Sequence, residues 1–173
     1  MSTDTHWLST EESAAWVRLI AIAELLPGAL DAQLLRDAGL THFEYVALMS
    51  LADSPSRTMR MTELASRTNA TLPRLSHVAR RLEERGLIRR FPCPEDRRAT
   101  NATITDAGLD LIADAAPGHV ETVRANVIDA LTPTQLEQLY EIAGAVLTRL
   151  DPDERLTATS CQSSEGPAAA RAG

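Results

Sequence analysis

The chain has 173 residues, with 17 cationic side chains against 24 acidic ones and a net charge of −7. That length makes one domain with a real core, or one domain with an extension. All the cations are Arg, and six aromatics leave Leu and Ala to fill the interior, which suits helix-on-helix packing. Cys93 and Cys161 stand far apart with no His/Cys cluster near either, so no metal site is expected. There is no Gly-rich phosphate loop, no nucleophile elbow and no carboxylate pair beside a base, so no catalytic residue and no cofactor is expected. No apolar run approaches a membrane span and no signal-peptide core opens the chain. The expectation is a cytoplasmic protein with no membrane partner.

Residues 1–8 read as an arm. Ser9 and Glu12 make a capping box that opens a helix. Trp16, Leu19, Ile20, Ala23, Leu26 and Leu30 follow at helical spacing. Pro27-Gly28 should kink or break that helix, and Gly39 should end it. Thr41 and Glu44 form a second capping box, for a helix to about Ala52 with an inner stripe of Phe43, Val46, Ala47 and Leu51. Residues 53–56 are a loop. Thr62 is placed to cap a short helix over 63–67, and 68–70 make a turn. Thr71 caps the next helix, which ends at Gly86. Leu87 to Phe91 and Ala99 to Ile104 read as two strands around a proline-stiffened tip. Thr105 caps a helix to about Ala130, with a kink expected near Pro117-Gly118. Thr132 and Gln135 are a third capping box, with Pro133 at the first helical position, for a last helix to Leu150. From Asp151 the composition has little to bury, and a disordered tail is expected over 151–173.

Helix, turn, helix, then hairpin describes a mainly α winged helix-turn-helix with a small β-hairpin wing. Charge agrees with that order. From Arg57 to Arg98 there are eleven Arg against five acids, a net +6, which leaves −13 on the rest of the chain. A basic module in an acidic protein presents one face to a polyanion. At 100° per residue, Leu72, Leu75, Val78, Ala79 and Leu82 share one face of the helix that starts at Thr71 and should face the core. Pro73, Ser76, His77 and Arg80 point away, with Arg74 and Arg81 on the flank. That outer set can read base edges and phosphates.

These elements, with Arg81-Leu82-Glu83-x-x-Gly86-Leu87-Ile88-x-Arg90, Asp96-Arg97-Arg98 and Thr105-x-x-Gly108, resemble the multiple-antibiotic-resistance regulator (MarR) family. The likeness spans about Leu8 to Leu150 and is strongest from Met61 to Gly108. It implies a bacterial winged-helix transcription factor that works as a homodimer on double-stranded DNA, a repressor on a palindromic operator. It also implies a domain over 9–150, with dimerisation helices at 9–38 and 106–150 around a DNA-binding lobe at 41–105. The helix from Thr71 would enter the major groove. Arg97 or Arg98 would reach the minor groove, with Asp96 orienting it. The candidate DNA contacts are Arg60, Thr62, Thr71, Pro73, Arg74, Ser76, His77, Arg80, Arg81, Asp96, Arg97 and Arg98. The family also implies a cleft for a small phenolic or aromatic ligand that releases DNA, and Trp16, His42 and Tyr45 are the candidates to line it. The turn over 67–73 is more polar than the family pattern and Pro73 replaces a commoner small polar residue, so the operator sequence stays open.

Two other readings use the same residues. The winged helix could dock an acidic protein partner instead of DNA; such a helix would expose apolar residues on its outer face, and here that face is polar and cationic. Cys93 could sense oxidation, with Arg89, Arg90 and Arg97 nearby to lower its pKa. The alternative for Cys93 is a small residue packed into the hairpin.

Overall fold

The computed structural model describes residues 5–96 and 98–156. Ser9 accepts from the amide of Glu12, whose carboxylate reaches back to the Ser9 amide, and this box opens α1 (Thr10–Ala38). α1 runs unbroken through Pro27 and stops at Gly39, whose φ of 62° gives the left-handed cap. The expected break at Pro27 is absent. One missing amide removes one ladder bond, and burial of Leu30, Gln33 and Leu34 just beyond it holds the helix on its course.

The second box, Thr41 with Glu44, opens α2 (His42–Ala52). Its buried face differs from the expected stripe. Tyr45, Leu48 and Leu51 are buried with Ala47, whereas Phe43 and Val46 are only half-covered. Neighbours on several sides cover α2 (α1, α3, the sheet and α5), so no single stripe describes it. β1 (Thr58–Arg60) then pairs with a later strand and leads directly into α3 (Met61–Arg67). α4 (Leu72–Glu84), β2 (Ile88–Pro92), β3 (Thr100–Ile104) and α5 (Asp106–Asn126) follow. A short 3-10 turn, Ile128–Ala130, separates α5 from α6 (Pro133–Leu150), which opens on the third capping box.

The sheet has three antiparallel strands in the order β1-β3-β2, with Thr58 opposite Thr103 and Ile88 opposite Ile104. β1 was not expected. Three residues are too few to show a period of two. The core lies between this sheet, helices α2 to α5 and the end of α1, where Leu34, Leu40, Leu48, Leu51, Leu64, Leu75, Leu82 and Ile112 are sealed from water.

One junction shows why the Thr-x-x-Gly spacing is needed. The Thr105 hydroxyl accepts from the Gly108 amide and donates to the Gly86 carbonyl, so it ties α5 to the end of α4. A Cβ on Gly108 would stand 2.3 Å from the Leu87 carbonyl oxygen and 2.7 Å from Ile104 Cγ1. α5 then passes unbroken through Pro117 and lies against α1, where Gly118 faces Gln33 and Asp37.

A second seam joins α2 to α5. The His42 and His119 rings stack with centroids 6.0 Å apart, and Tyr45 tilts against His119 at 4.7 Å. His119 Nδ1 is buried with no hydrogen-bond partner. Burial pushes both imidazoles below their usual pKa; Asp31 partly offsets this at His42, and His42 adds to it at His119.

Outside this core the helices are bare. α1 buries only three residues and α6 buries none, while Trp16, Val17, Ile22, Leu25, Tyr140 and Ile142 lie open to solvent. α1 is long and apolar enough to cross a membrane by length and composition, which corrects the expectation that no such run exists. From Ser13 to Leu30 only Arg18 and Glu24 are charged, and these two hid the run. Residues 151–156 form turns in which buried Asp151 accepts from the Leu156 amide and the Arg155 guanidinium. The rest of the expected tail, with Cys161, lies outside the described residues.

Two outcomes follow from these contacts. Gly108→Ala should destabilise the protein by about 2–3 kcal/mol, because the clash is with backbone. In a thermal melt that is a drop of roughly 5–10 °C; an unchanged Tm would show that the junction can relax. The histidine seam should make stability depend on pH. The unfolded chain takes up protons near pH 6.5 and the folded chain only at lower pH, so protons favour unfolding below that point. Tm should be flat above neutrality and fall by a few degrees between pH 7 and 5.5. Glu83 and Asp151, whose carboxyls are held below their ordinary values, stay ionised across this window. His119→Gln should flatten the profile, and an identical slope in that variant would remove the seam as its cause.

Candidate nucleic-acid interface

α3 and α4 are joined by a tight turn in which Asn69 takes a left-handed conformation, φ 48°, that Asn tolerates better than most residues. α3 starts at Met61 with Arg60 as its N-cap residue and no side-chain cap bond. Thr62 is therefore an exposed first-turn residue and not the expected cap. Thr71 does cap α4, accepting from the Arg74 amide.

Leu75, Ala79 and Leu82 are buried, which turns Pro73, His77 and Arg80 outward and leaves Ser76 half-covered. Leu72 departs from the expected core stripe and is 42% exposed. It sits in the first turn, beyond the reach of the core, and lines a notch of about 150 Å³ between α3, α4 and the wing. Thr62, Ser76 and Arg98 meet on that same notch. Three candidates from separate segments thus share one concave face.

At the wing tip, Asp96 Oδ1 accepts from the backbone amide of Arg98 at 3.0 Å. The aspartate shapes the tip through this backbone bond. Arg97 lies outside the described residues. Cys93 is buried in the hairpin. The amides of Glu95 and Asp96 lower its pKa, with a smaller contribution from Arg60. Among the described residues, these groups stand where Arg89 and Arg90 were expected. Arg60 Nη2 lies 3.7 Å from Cys93 Sγ and 3.5 Å from Glu95, beside the wing.

The arginines of the basic segment divide into two groups. Arg80 faces outward, paired loosely with Glu84 at 3.8 Å and touching His77 at 3.3 Å. Arg90 instead grips Glu83 with its guanidinium and its backbone amide, and these bonds hold the Glu83 carboxyl below its usual pKa. Arg81 reaches 2.9 Å from the buried Glu44, a close ion pair rather than a well-aligned hydrogen bond. Arg85 donates to the last carbonyls of α1. Arg74 stacks over the Phe43 ring at 4.6 Å. Arg74 and Arg81 were candidate DNA contacts, and both lean toward α2. No sequence signal announces these partners, because each lies more than 30 residues away.

An open cleft of about 510 Å³ lies behind α4, against α1 and α2. Of the three residues expected to line it, His42 does. Trp16 stands exposed on α1, and Tyr45 is buried against His119. Phe43, Arg67, Arg74, Arg81 and Leu156 line the cleft and were not foreseen there.

The MarR family model matches residues 40–100, from the end of α1 to the start of β3. Sco3205 of Streptomyces coelicolor, a MarR family transcriptional regulator solved in complex with DNA, is 46% identical. That match covers 88% of this chain and 96% of Sco3205, with a TM-score of 0.82. AbsC from the same organism, also a MarR family transcriptional regulator, is 36% identical over 84% of this chain and 98% of its own, with a TM-score of 0.78. The transcriptional repressor MprA of Escherichia coli K12 is 29% identical over 128 residues, 71% of this chain and 69% of MprA. With its winged helix, its cationic outer face and these relatives, the chain belongs to the MarR family of DNA-binding transcriptional regulators, not to an enzyme family.

Proposed function

We propose that the protein is a homodimeric repressor in the cytoplasm that reads an inverted repeat, with α4 in the major groove and the wing tip in the minor groove. The observation that carries this reading is the set Pro73, Ser76, His77 and Arg80 beside Arg98, on a helix whose Leu75, Ala79 and Leu82 are engaged in the core. Sco3205, solved on DNA, supports the docking, and MprA, a repressor, supports the sign of regulation. The bare apolar faces of α1 and α6 support the dimer, since a surface of that kind marks an association site. The polar outer face of α4 disfavours an acidic protein partner.

Selection of duplexes from a random pool tests this. The enriched sequence should be an inverted repeat with half-sites about one helical turn apart. Affinity should fall steeply with salt as counterions are released. Arg98→Ala should weaken binding by about 1–3 kcal/mol without unfolding the protein, and Arg97→Ala should do the same. His77→Ala should change which base pairs are enriched. A pool that stays random at physiological salt would sink the regulator reading.

The cleft behind α4 supports release by a small aromatic acid. His42 and Phe43 offer it a ring-lined wall, and Arg67, Arg74 and Arg81 offer cations for its carboxylate. Such a ligand acts only through a difference in affinity between the DNA-competent and incompetent states. A tenfold loss of DNA affinity needs about 1.4 kcal/mol of that difference. Titration with salicylate and related acids, followed by operator release, should show the loss in the wild type and a weaker one in Arg74→Ala. Binding of the acid with no release would make the cleft incidental.

A further inference from the structure

Two arginines at the far end of α4 turn toward the rest of the protein and converge on one corner. Arg85, the C-cap residue of α4, donates through Nη1 to the Gly39 carbonyl at 2.9 Å and through Nη2 to the Ala38 carbonyl at 3.4 Å. One turn earlier, Arg81 pairs at 2.9 Å with Glu44. Glu44 in turn accepts from the amide and hydroxyl of Thr41. Both arms therefore end on residues 38–44, the corner where α1 passes into α2.

The chemistry of that corner suits a guanidinium. The last carbonyls of a helix lack partners within it and carry the negative end of its dipole. The planar Arg fork donates to two neighbouring carbonyls at once. Gly39 is left-handed and presents its carbonyl to the fork. Arg85 is exposed and contributes little to the core, so its bonds restrain direction more than they stabilise the fold.

We infer that Arg85, supported by Arg81, is a positioning residue that fixes the tilt of α4 relative to α1, and so sets which half-site spacing the dimer accepts. This rests on the reading of the protein as a dimer on an inverted repeat. In that arrangement α1 lies at the two-fold axis and α4 in the groove. The distance between the two copies of α4 then depends on the angle between these helices. A shift of about 3.4 Å is one base pair along the duplex. The apolar contacts of α4 are made mainly with α3 and β2 and travel with it, whereas the forked hydrogen bond ends at the C-terminus of α1 and changes length with the angle.

The experiment measures affinity for the selected inverted repeat and for versions with the spacer changed by one or two base pairs in either direction. The wild type should lose at least tenfold on a change of one base pair. Arg85→Ala should retain its penalties for base substitutions within a half-site, keep its Tm within a few degrees, and show a spacing penalty below threefold. Arg85→Lys, whose ammonium reaches one carbonyl, should restore part of the preference. A tenfold spacing penalty retained in Arg85→Ala would overturn the inference while leaving the dimeric regulator intact. Equal loss of base and spacing discrimination would also overturn it, since Arg85 would then act on DNA or on the fold. A wild type with no preferred spacing would defeat the dimer-on-repeat reading, and this inference with it.

Discussion

A helix that meets DNA has to be held from behind, because the phosphates in front attract cations with little regard for their exact placement. In this chain the hold is the stripe Leu75, Ala79 and Leu82, all buried in the core with Leu48, Leu51 and Leu64. Burying one Leu contributes about 1.5–3 kcal/mol, whereas an exposed ion pair such as Arg80 with Glu84 contributes about 0.2–1 kcal/mol. The leucines thus decide which side of α4 faces out. The arginine pairs are too weak to change that choice, but they act along defined directions and can trim the tilt. Rotation about the helix axis and tilt of that axis are set by different forces.

The same division explains why a count of charges overstates the outward cationic face. The +6 of residues 57–98 is real, yet Arg81, Arg85 and Arg90 face Glu44, the α1 carbonyls and Glu83. These contacts align α4, its flanking corner and the first wing strand. Arg80, Arg89 and Arg98 stay exposed and turn to none of these partners. The basic stretch thus divides into arginines left exposed and arginines that hold α4 and the wing in place.

The elements that sequence alone reveals are those whose signals are local. The boxes at Ser9, Thr41 and Thr132 state their own helix starts, because cap and partner lie three residues apart. Thr105-x-x-Gly108 is local too, although its reason, the Leu87 carbonyl, is a tertiary contact. The failures share one cause. Thr62 looks like a cap, but pairing of β1 with β3 brings the chain into α3 two residues early. Tyr45 has the makings of a pocket residue, but α5 brings His119 against it. Arg74 belongs to the reading helix by position and stacks on Phe43, 31 residues earlier, by geometry. Periodicity describes a helix against an average neighbour and cannot say which neighbour arrives.

The apolar surface of α1 can be argued further, because two environments would accept it. Length and composition alone suit a bilayer. Arg18 and Glu24 decide against it, since each charge near the middle of a membrane helix costs about 2.5–3.5 kcal/mol even on the mildest scale. Both side chains are exposed, so a protein partner that covers Trp16, Val17, Ile22 and Leu25 need not bury them. α6 poses the same problem from the other end. It has 18 residues, none of them buried, and a helix in a protein draws most of its stability from packing its apolar face. Two such helices in one chain, each bearing an uncovered apolar face, are mutually satisfied when a second copy supplies what the first lacks. The fold of the outer helices and the two-fold symmetry of the proposed DNA site then have a common origin in the need to cover these faces.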